Sequence, residues 1–469
     1  MIDQLLQTPE LARRINDLLT FYGMAHAYRS GLEPGPLPPE LDDVLSELQP
    51  YDIALVLEAL PEPSRLVLLY VLEPQAAAEA LGYLEHDQQY RLLDHLPERT
   101  IRAIVAVMPS DALVDLLGAI HPNQAQEILK RVPLEDVAQV KELLSYPEHS
   151  AGGLMTFNYL SARTEWTAAQ VIDHFRKVAQ NVENVNYVYV VDKAGRLAGV
   201  VSLRDIILAA PGVKVAEIMY AKVISIHVDA DQEEAARLLS QYDFSAIPVV
   251  NHNNQMVGII TVDDIIDVVE EEATEDIQLI GGTEPFDKPY MQAGIRELFG
   301  KRIGWLLVLF LAESLTGSIM RSYESVLSQM IALTFFIPLL IDTGGNSGSQ
   351  ASTLVIRAMA LGEVTPKDYF TIIWREIRLG LLLGAVMGLV AYGRALFMGG
   401  SMSLGLTVAF TIIMVVVVST TAGATLPMIG KRIGLDPAVF SAPLITTIAD
   451  GVGLLIYFRM AQLIIGIGG

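Results

Sequence analysis

Residues 339–352 read LLIDTGGNSGSQAS and set Asp342, Asn346 and Gln350 four apart inside an otherwise apolar run. On a helix that spacing stacks one carboxylate and two amides along a single stripe, and in hydrocarbon such a stripe must face a bundle interior or a water-filled path. A second polar island lies in SAPLITTIADGVGLLIYF, where Asp450 follows Thr446 and Thr447. No Lys or Arg shares that stretch before Arg459, so the carboxylate lacks a fixed counter-charge and suits a mobile cation. The donors on offer are carboxylate, amide and hydroxyl oxygens, because the chain has no cysteine and all eight histidines precede residue 300. Hard oxygen donors suit magnesium or calcium. A sparse site on one carboxylate fits a largely hydrated magnesium better than calcium, which takes more direct oxygens. Glu313 is a further acid in an apolar run, equally suited to pairing with a neighbouring helix.

These residues need membrane helices to hold them. Five runs are long enough to span: roughly 303–320, 328–356, 372–397, 404–429 and 439–467, of which the second and fifth have length to tilt or break. With the N-terminus inside, Lys301, Arg302, Arg357, Lys367, Arg375, Arg378, Lys431 and Arg432 flank the inner side against Arg321, Arg394 and Arg459 outside, as the positive-inside rule requires. The C-terminus then lies outside. MIDQLLQTPELARR lacks the basic start and apolar core of a signal peptide, which keeps the N-terminal part in the cytoplasm. Gly344 and Gly348 beside the polar stripe allow close backbone approach or local unwinding. Gly380, Gly384 and Gly388 read as packing positions, and Gly423 with Pro427 suggests a hinge.

The preceding part is built differently. Residues 1–300 hold 21 Lys+Arg against 46 Asp+Glu, whereas residues 301–469 hold 11 against 8. So acidic a surface repels phosphate backbones, which argues against nucleic acid and for cations, or serves solubility alone. Pro61, Pro74, Pro97, Pro109, Pro122 and Pro133 recur at about 12-residue intervals, with one skipped near His86. Since proline favours a first helical turn, the stretch reads as an α-solenoid of short helices. Glu79 lies on one of these helices, and Asp111 and Asp115 lie one turn apart on another. Then VVDKAGRLAGVVSLRDII and VVNHNNQMVGIITVDDII match at a spacing of 59 residues. Each reads as strand, turn, strand and a helix capped by Ser202 or Thr261, with Asp205 or Asp264 in its first turn, where an acid also strengthens the helix start. A long helix comes next, about 262–280, whose Val262, Ile265, Ile266, Val269, Ala273 and Ile277 form one apolar face. The rest of it carries eight acids and no base.

The repeat resembles a pair of cystathionine-β-synthase (CBS) domains. Helical domain, CBS pair, acidic helix and spans in this order, with GGNSGSQ at 344–350, RAMALGE at 357–363 and TTIAD ending at Asp450, resemble the MgtE family of magnesium transporters over essentially the whole chain. The expected division is a helical lead at 1–50, an acidic helical domain at 51–145, the CBS pair at 146–261 (repeats near 155–210 and 219–269), a connecting helix and linker at 262–300, and a five-helix transmembrane domain at 301–469. The resemblance implies a homodimer in the cytoplasmic (inner) membrane, with a pore along the dimer axis lined by the second and fifth spans and magnesium at Asp450. It implies that cytosolic magnesium closes this pore by bridging acidic faces at Glu79, Asp111, Asp115, Glu233, Asp243, Asp264, Glu275 and Asp276. It also implies ATP at the CBS pair, at Tyr187, Arg204, Asp205, Phe244 and Asp267. One departure is Ala442, where some members carry asparagine.

Two other readings stay open. The ion could move outward in exchange for sodium or protons, or the chain could be a membrane-anchored nucleotide sensor without transport. An anchor, however, needs one span and has no use for Asp450 or Asn346 in hydrocarbon. Enzymatic activity is not expected: no nucleophile with a base, metal–histidine motif or phosphate loop with its lysine is evident.

Overall fold

The computed structural model describes residues 2–29, 37–134, 136–179, 182, 184–286, 288, 290–291, 293–440 and 442–467; parts of the helical lead thus lie outside the described residues. The chain forms two compact units, residues 1–268 and 269–469.

In the first unit, short helices run Pro50–Ala59, Glu62–Val71, Pro74–Gly82, His86–Asp94, Glu98–Val105, Ser110–Ala119 and Pro122–Leu129. Pro61, Pro97 and Pro109 take the N-cap position and Pro74 and Pro122 sit in the first turn, where a missing amide hydrogen costs nothing. At the skipped interval Glu85 starts the helix instead. Pro133 departs from the pattern: it opens a turn, and the next helix, Val137–Leu143, begins after Asp136. Alternate helices stack, Pro50–Ala59 on Pro74–Gly82 and that on Glu98–Val105. Leu57, Val67, Leu81, Leu93 and Leu116, all fully buried, form the core between them.

The duplication becomes two three-stranded sheets: β1 (Tyr159–Arg163), β2 (Asn184–Val191) and β3 (Leu197–Ser202), then β4 (Ile226–His227), β5 (Ala246–Val250) and β6 (Met256–Thr261). In each, the first strand runs parallel and the third antiparallel to the middle one. The parallel crossovers are the helices Ala168–Val178 and Gln232–Tyr242, as a parallel connection requires. Ser202 Oγ accepts from the Asp205 amide at 3.1 Å, capping the six-residue helix Leu203–Leu208. After Thr261 the equivalent helix continues for 19 residues, Val262–Ile280. Its apolar face differs from the sequence expectation. Ile265 and Val268 are buried, whereas Val262, Ile266, Val269 and Ile277 are exposed, so only the first two turns enter the core of the first unit.

The second unit holds long helices Ile295–Ser322, Ile337–Ala360, Tyr369–Phe397, Met402–Arg432 and Ala442–Ile465. Among the described residues four segments are long and apolar enough to cross a membrane: 295–322, 366–397, 402–432 and 442–465. Ile337–Ala360 is not one of them, because GGNSGSQ occupies its middle. The expected run from Ser328 is broken rather than continuous. Glu324–Gln329 is a short helix, Ile331–Phe336 a 3-10 segment, and the long helix starts only at Ile337 with Pro338 in its first turn, where proline fits.

Candidate ion path and cation sites

Ile337–Ala360 has two faces. Asp342, Asn346 and Gln350 are all exposed on one. On the other, Gly344, Gly345 and Gly348 are buried. A Cβ at Gly344 would meet Val415 at 2.8 Å, one at Gly345 would meet Thr446 at 2.7 Å, and one at Gly348 would meet Ile445 at 2.8 Å. A Cβ at Gly423 would lie 2.2 Å from the Gly348 carbonyl oxygen. These glycines therefore let Ile337–Ala360 sit directly on Met402–Arg432 and Ala442–Ile465 of the same chain. The close backbone approach expected of Gly344 and Gly348 is made within the protomer, where a side chain would displace a neighbouring helix. Gly380, Gly384 and Gly388 bring Tyr369–Phe397 onto Met402–Arg432 in the same way, against Val417, Ile413 and Ala409.

Asp450 lies on Ala442–Ile465 and is only 6% exposed. Its Oδ1 has no hydrogen-bond partner among the described residues, and the charges nearest in effect are the acids Glu313 and Asp342, which repel it. Three helices thus converge negative charge on one place. One turn earlier, Thr446 Oγ1 donates to the Ala442 carbonyl at 2.9 Å and lies 3.3 Å from Ser349 Oγ. Ser349 Oγ also reaches that carbonyl at 3.3 Å. Thr447 Oγ1 donates to the Pro443 carbonyl at 3.0 Å. With both threonine protons committed to the helix, the hydroxyls present lone pairs outward. Position 442 contributes a main-chain oxygen where an asparagine would have offered a side chain.

Two acidic clusters lie outside the spans. In the first unit, Asp264 is held by the Thr261 hydroxyl. Burial, then the charge of Asp111, pushes its carboxyl up to about 7. In the second unit, burial and then Asp436, Glu272 and Glu275 push Asp276 up to about 6, with Arg357 opposing them. Acids raised by burial and like charge are in the state that a cation relieves. Sequence reasoning missed Asp436. It sits in the loop after Met402–Arg432 and accepts from the Ala438 amide at 2.8 Å; its signal was a lone acid in a loop that otherwise carries basic residues.

The remaining acids are more scattered. Asp115 is exposed one turn from Asp111. Glu79 accepts from Gln75 at 2.8 Å and lines a cavity of about 440 Å³ with Ser110 and Asp136. Glu233 and Asp243 lie at opposite ends of Gln232–Tyr242, about 15 Å apart at 1.5 Å per residue, so one chain does not bring them together. Asp243 ends that helix in the left-handed region, φ 51°.

Of the expected nucleotide residues, Tyr187 and Arg204 line one cavity of about 640 Å³, with Asn186 and Ser202. Tyr187 and Phe244 line a second of about 330 Å³, with Tyr220 and Lys222. Asp205 Oδ2 accepts from Ser202 Oγ at 2.6 Å; neither it nor Asp267 lines these cavities.

Residues 337–460 match the MgtE divalent cation transporter family, residues 48–149 the MgtE intracellular N domain, and residues 151–212 and 215–271 the CBS domain. The chain is 40% identical over 428 residues to the magnesium transporter MgtE of Thermus thermophilus, covering 91% of this chain and 95% of that one. The chain belongs to the MgtE family of magnesium transporters. A second relative, the magnesium transporter MgtE of Bacillus subtilis, is 37% identical over 421 residues, 89% and 92% of the two chains. A crystal structure of the soluble part of a magnesium transporter superimposes with a TM-score of 0.50 at 30% identity, covering 57% of this chain and 99% of that one. The relatives are named as transporters, not enzymes.

Proposed function

We propose that this membrane protein conducts magnesium inward along a path bounded by Asp342, Asn346, Gln350, Thr446, Thr447 and Asp450. The observation that carries the reading is the buried carboxylate of Asp450, whose Oδ1 has no hydrogen-bond partner among the described residues and which feels the charges of acids on two other helices. Water alone does not solvate such a carboxylate in hydrocarbon, whereas a hydrated divalent ion supplies both charge and water ligands. In this reading Ile337–Ala360 is the fifth spanning helix. Its exposed polar stripe faces the same stripe of a second copy in the inner membrane, with N-terminus inside and C-terminus outside. The division into helical lead, superhelical domain, CBS pair, connecting helix and transmembrane domain is part of the same proposal.

Closure follows from linkage. An ion that binds only the arrangement in which acids meet must favour that arrangement. Magnesium held at Asp111 and Asp264, with Glu79 and Asp115 nearby, ties the helical array to the CBS pair. Magnesium at Glu275, Asp276 and Asp436 ties the connecting helix to the inner loop. Glu233 and Asp243 require a partner from a second copy. When magnesium is scarce, the like charges push apart and the path opens. ATP bound at Tyr187, Arg204 and Phe244, with Asp205 and Asp267 at the edge, would modulate this coupling.

The experiment is magnesium influx into proteoliposomes for wild type and Asp450→Asn, with internal magnesium low and then millimolar. Influx that depends on Asp450 and fades with internal magnesium is expected. Equal flux through the mutant rejects the ion path, and outward flux driven by sodium or protons supports a coupled exporter instead.

A further inference from the structure

The two CBS repeats treat one position differently. Arg163 ends β1 and pairs with Val191; His227 ends β4 and pairs with Val250, the residue 59 positions after Val191. Two residues beyond each stands an acid, Glu165 or Asp229, and the following turn brings Lys193 or His252. In the first repeat Glu165 feels the charges of both Lys193 and Arg163. In the second both fixed cations are replaced by imidazoles.

His227 Nδ1 lies 3.4 Å and His252 Nε2 3.1 Å from Asp229 Oδ2, and the three ligand atoms all fall within 4.8 Å of one another. Bonds of about 2.0–2.1 Å from a central ion place neighbouring ligand atoms roughly 3.0–3.4 Å apart, the spacing found for both histidine–aspartate pairs. The Asp229 amide donates to His227 Nδ1 at 3.4 Å, a long bond that an incoming ion displaces to reach the nitrogen's single lone pair. The turn is already fixed: Gly152 N donates to Val228 O at 2.9 Å and Ala151 N to Ala230 O at 2.8 Å, so little ordering remains for binding to impose. His252 and Asp229 are exposed and His227 is half-buried, which gives an ion access and leaves water to complete its shell.

We propose that His227, Asp229 and His252 form a binding site for a borderline divalent transition ion such as zinc, separate from every oxygen site that handles magnesium. Imidazole nitrogen selects such ions over magnesium. The site lies on the turn bonded to residues 149–152, which lead from the helical array into the CBS pair, and it acts there as the counter-charge that Arg163 and Lys193 provide in the first repeat.

The test is calorimetric titration of the purified full-length chain with zinc in a large excess of magnesium, which fills the carboxylate sites. Wild type is expected to bind one zinc per chain through this site. Asp229→Asn should weaken it by more than about 10-fold, since even outer-shell changes cost that much. His227→Arg with His252→Lys, which copies the first repeat and so preserves its charge balance, should abolish it. The same isotherm in wild type and Asp229→Asn, or no zinc binding by wild type, overturns the proposal; in the latter case protons alone satisfy the cluster. Asp229→Asn, with one atom exchanged, keeps the test valid if the double variant fails to fold.

Discussion

Asp450 and Asp276 are both carboxylates crowded by other carboxylates, yet their surroundings differ. Around Asp450 the charges come from Glu313 and Asp342 on two separate helices, and its Oδ1 has no hydrogen-bond partner among the described residues. Around Asp276 the acids Glu272 and Glu275 lie on its own helix, Asp436 on a loop, and Arg357 offers partial relief. In the proposed path, hydrocarbon leaves the first cluster only a proton or a passing ion for relief, whereas water gives the second a way to persist without either. The first therefore suits obligatory passage and the second a response to concentration. The sharpest way to break this comparison is to neutralise each in turn. Asp450→Asn should remove at least about 3 kcal/mol of ion stabilisation, on the order of 100-fold in flux measured into proteoliposomes. Asp276→Asn should leave the maximal flux unchanged. Comparable losses in both would show that the two clusters do the same work.

The membrane cluster also depends on packing that the cytosolic one lacks. With a Cβ at Gly423 only 2.2 Å from the Gly348 carbonyl oxygen, Gly423→Ala must push Ile337–Ala360 off Met402–Arg432 and carry the polar stripe with it. Overpacking of this kind costs about 1–3 kcal/mol. A lowered thermal midpoint in detergent, together with reduced flux, is the expected result. Unchanged values of both would mean that the helices yield without cost. A smaller effect is expected at the sensor: Asp276→Asn or Asp436→Asn should raise the internal magnesium needed to halve flux by roughly 5-fold, the low end of a coupling free energy between sites. If Asp436→Asn leaves that concentration unchanged, the loop acid takes no part in closure.

How much of this was legible depended on whether a feature was local. The connecting helix, 262–280, emerged from a run of acids with apolar residues three and four apart, and the caps Ser202 and Thr261 from their place before an acid. The stripe Asp342, Asn346, Gln350 came from spacing alone. The start of its helix did not, because Ile331–Phe336 is as apolar as the first turn of the helix after it, and only the backbone reveals the 3-10 turn. Nor did the direction of the glycine face: four-residue spacing shows that something approaches closely, not whether it belongs to the same chain. Val262, Ile266 and Ile277 fit an apolar face by spacing but remain exposed, since burial is decided by what packs against a helix. Asp436 and Asp276 are 160 residues apart, and His227 and His252 meet only through the parallel register of β4 and β5.

The mildest perturbation is pH, and it separates proton from metal at the cytosolic acids. Asp264 is pushed up to about 7 and Asp276 to about 6, each first by burial and then by a neighbouring acid. The folded chain therefore holds these protons more tightly than the unfolded chain, whose aspartates titrate near 4. Their contribution to stability is complete below about pH 4 and is lost as pH rises, through about 6 for Asp276 and about 7 for Asp264. Magnesium replaces the missing protons, so its gain in thermal midpoint should be largest at pH 8 and shrink towards pH 5. Asp264→Asn should flatten the magnesium-free profile between pH 5 and 8 and remove part of that gain, because an amide neither titrates nor repels Asp111. A variant profile as steep as wild type would place the proton elsewhere, and a magnesium gain that does not vary with pH would show that the ion and the proton do not compete for the same carboxylates.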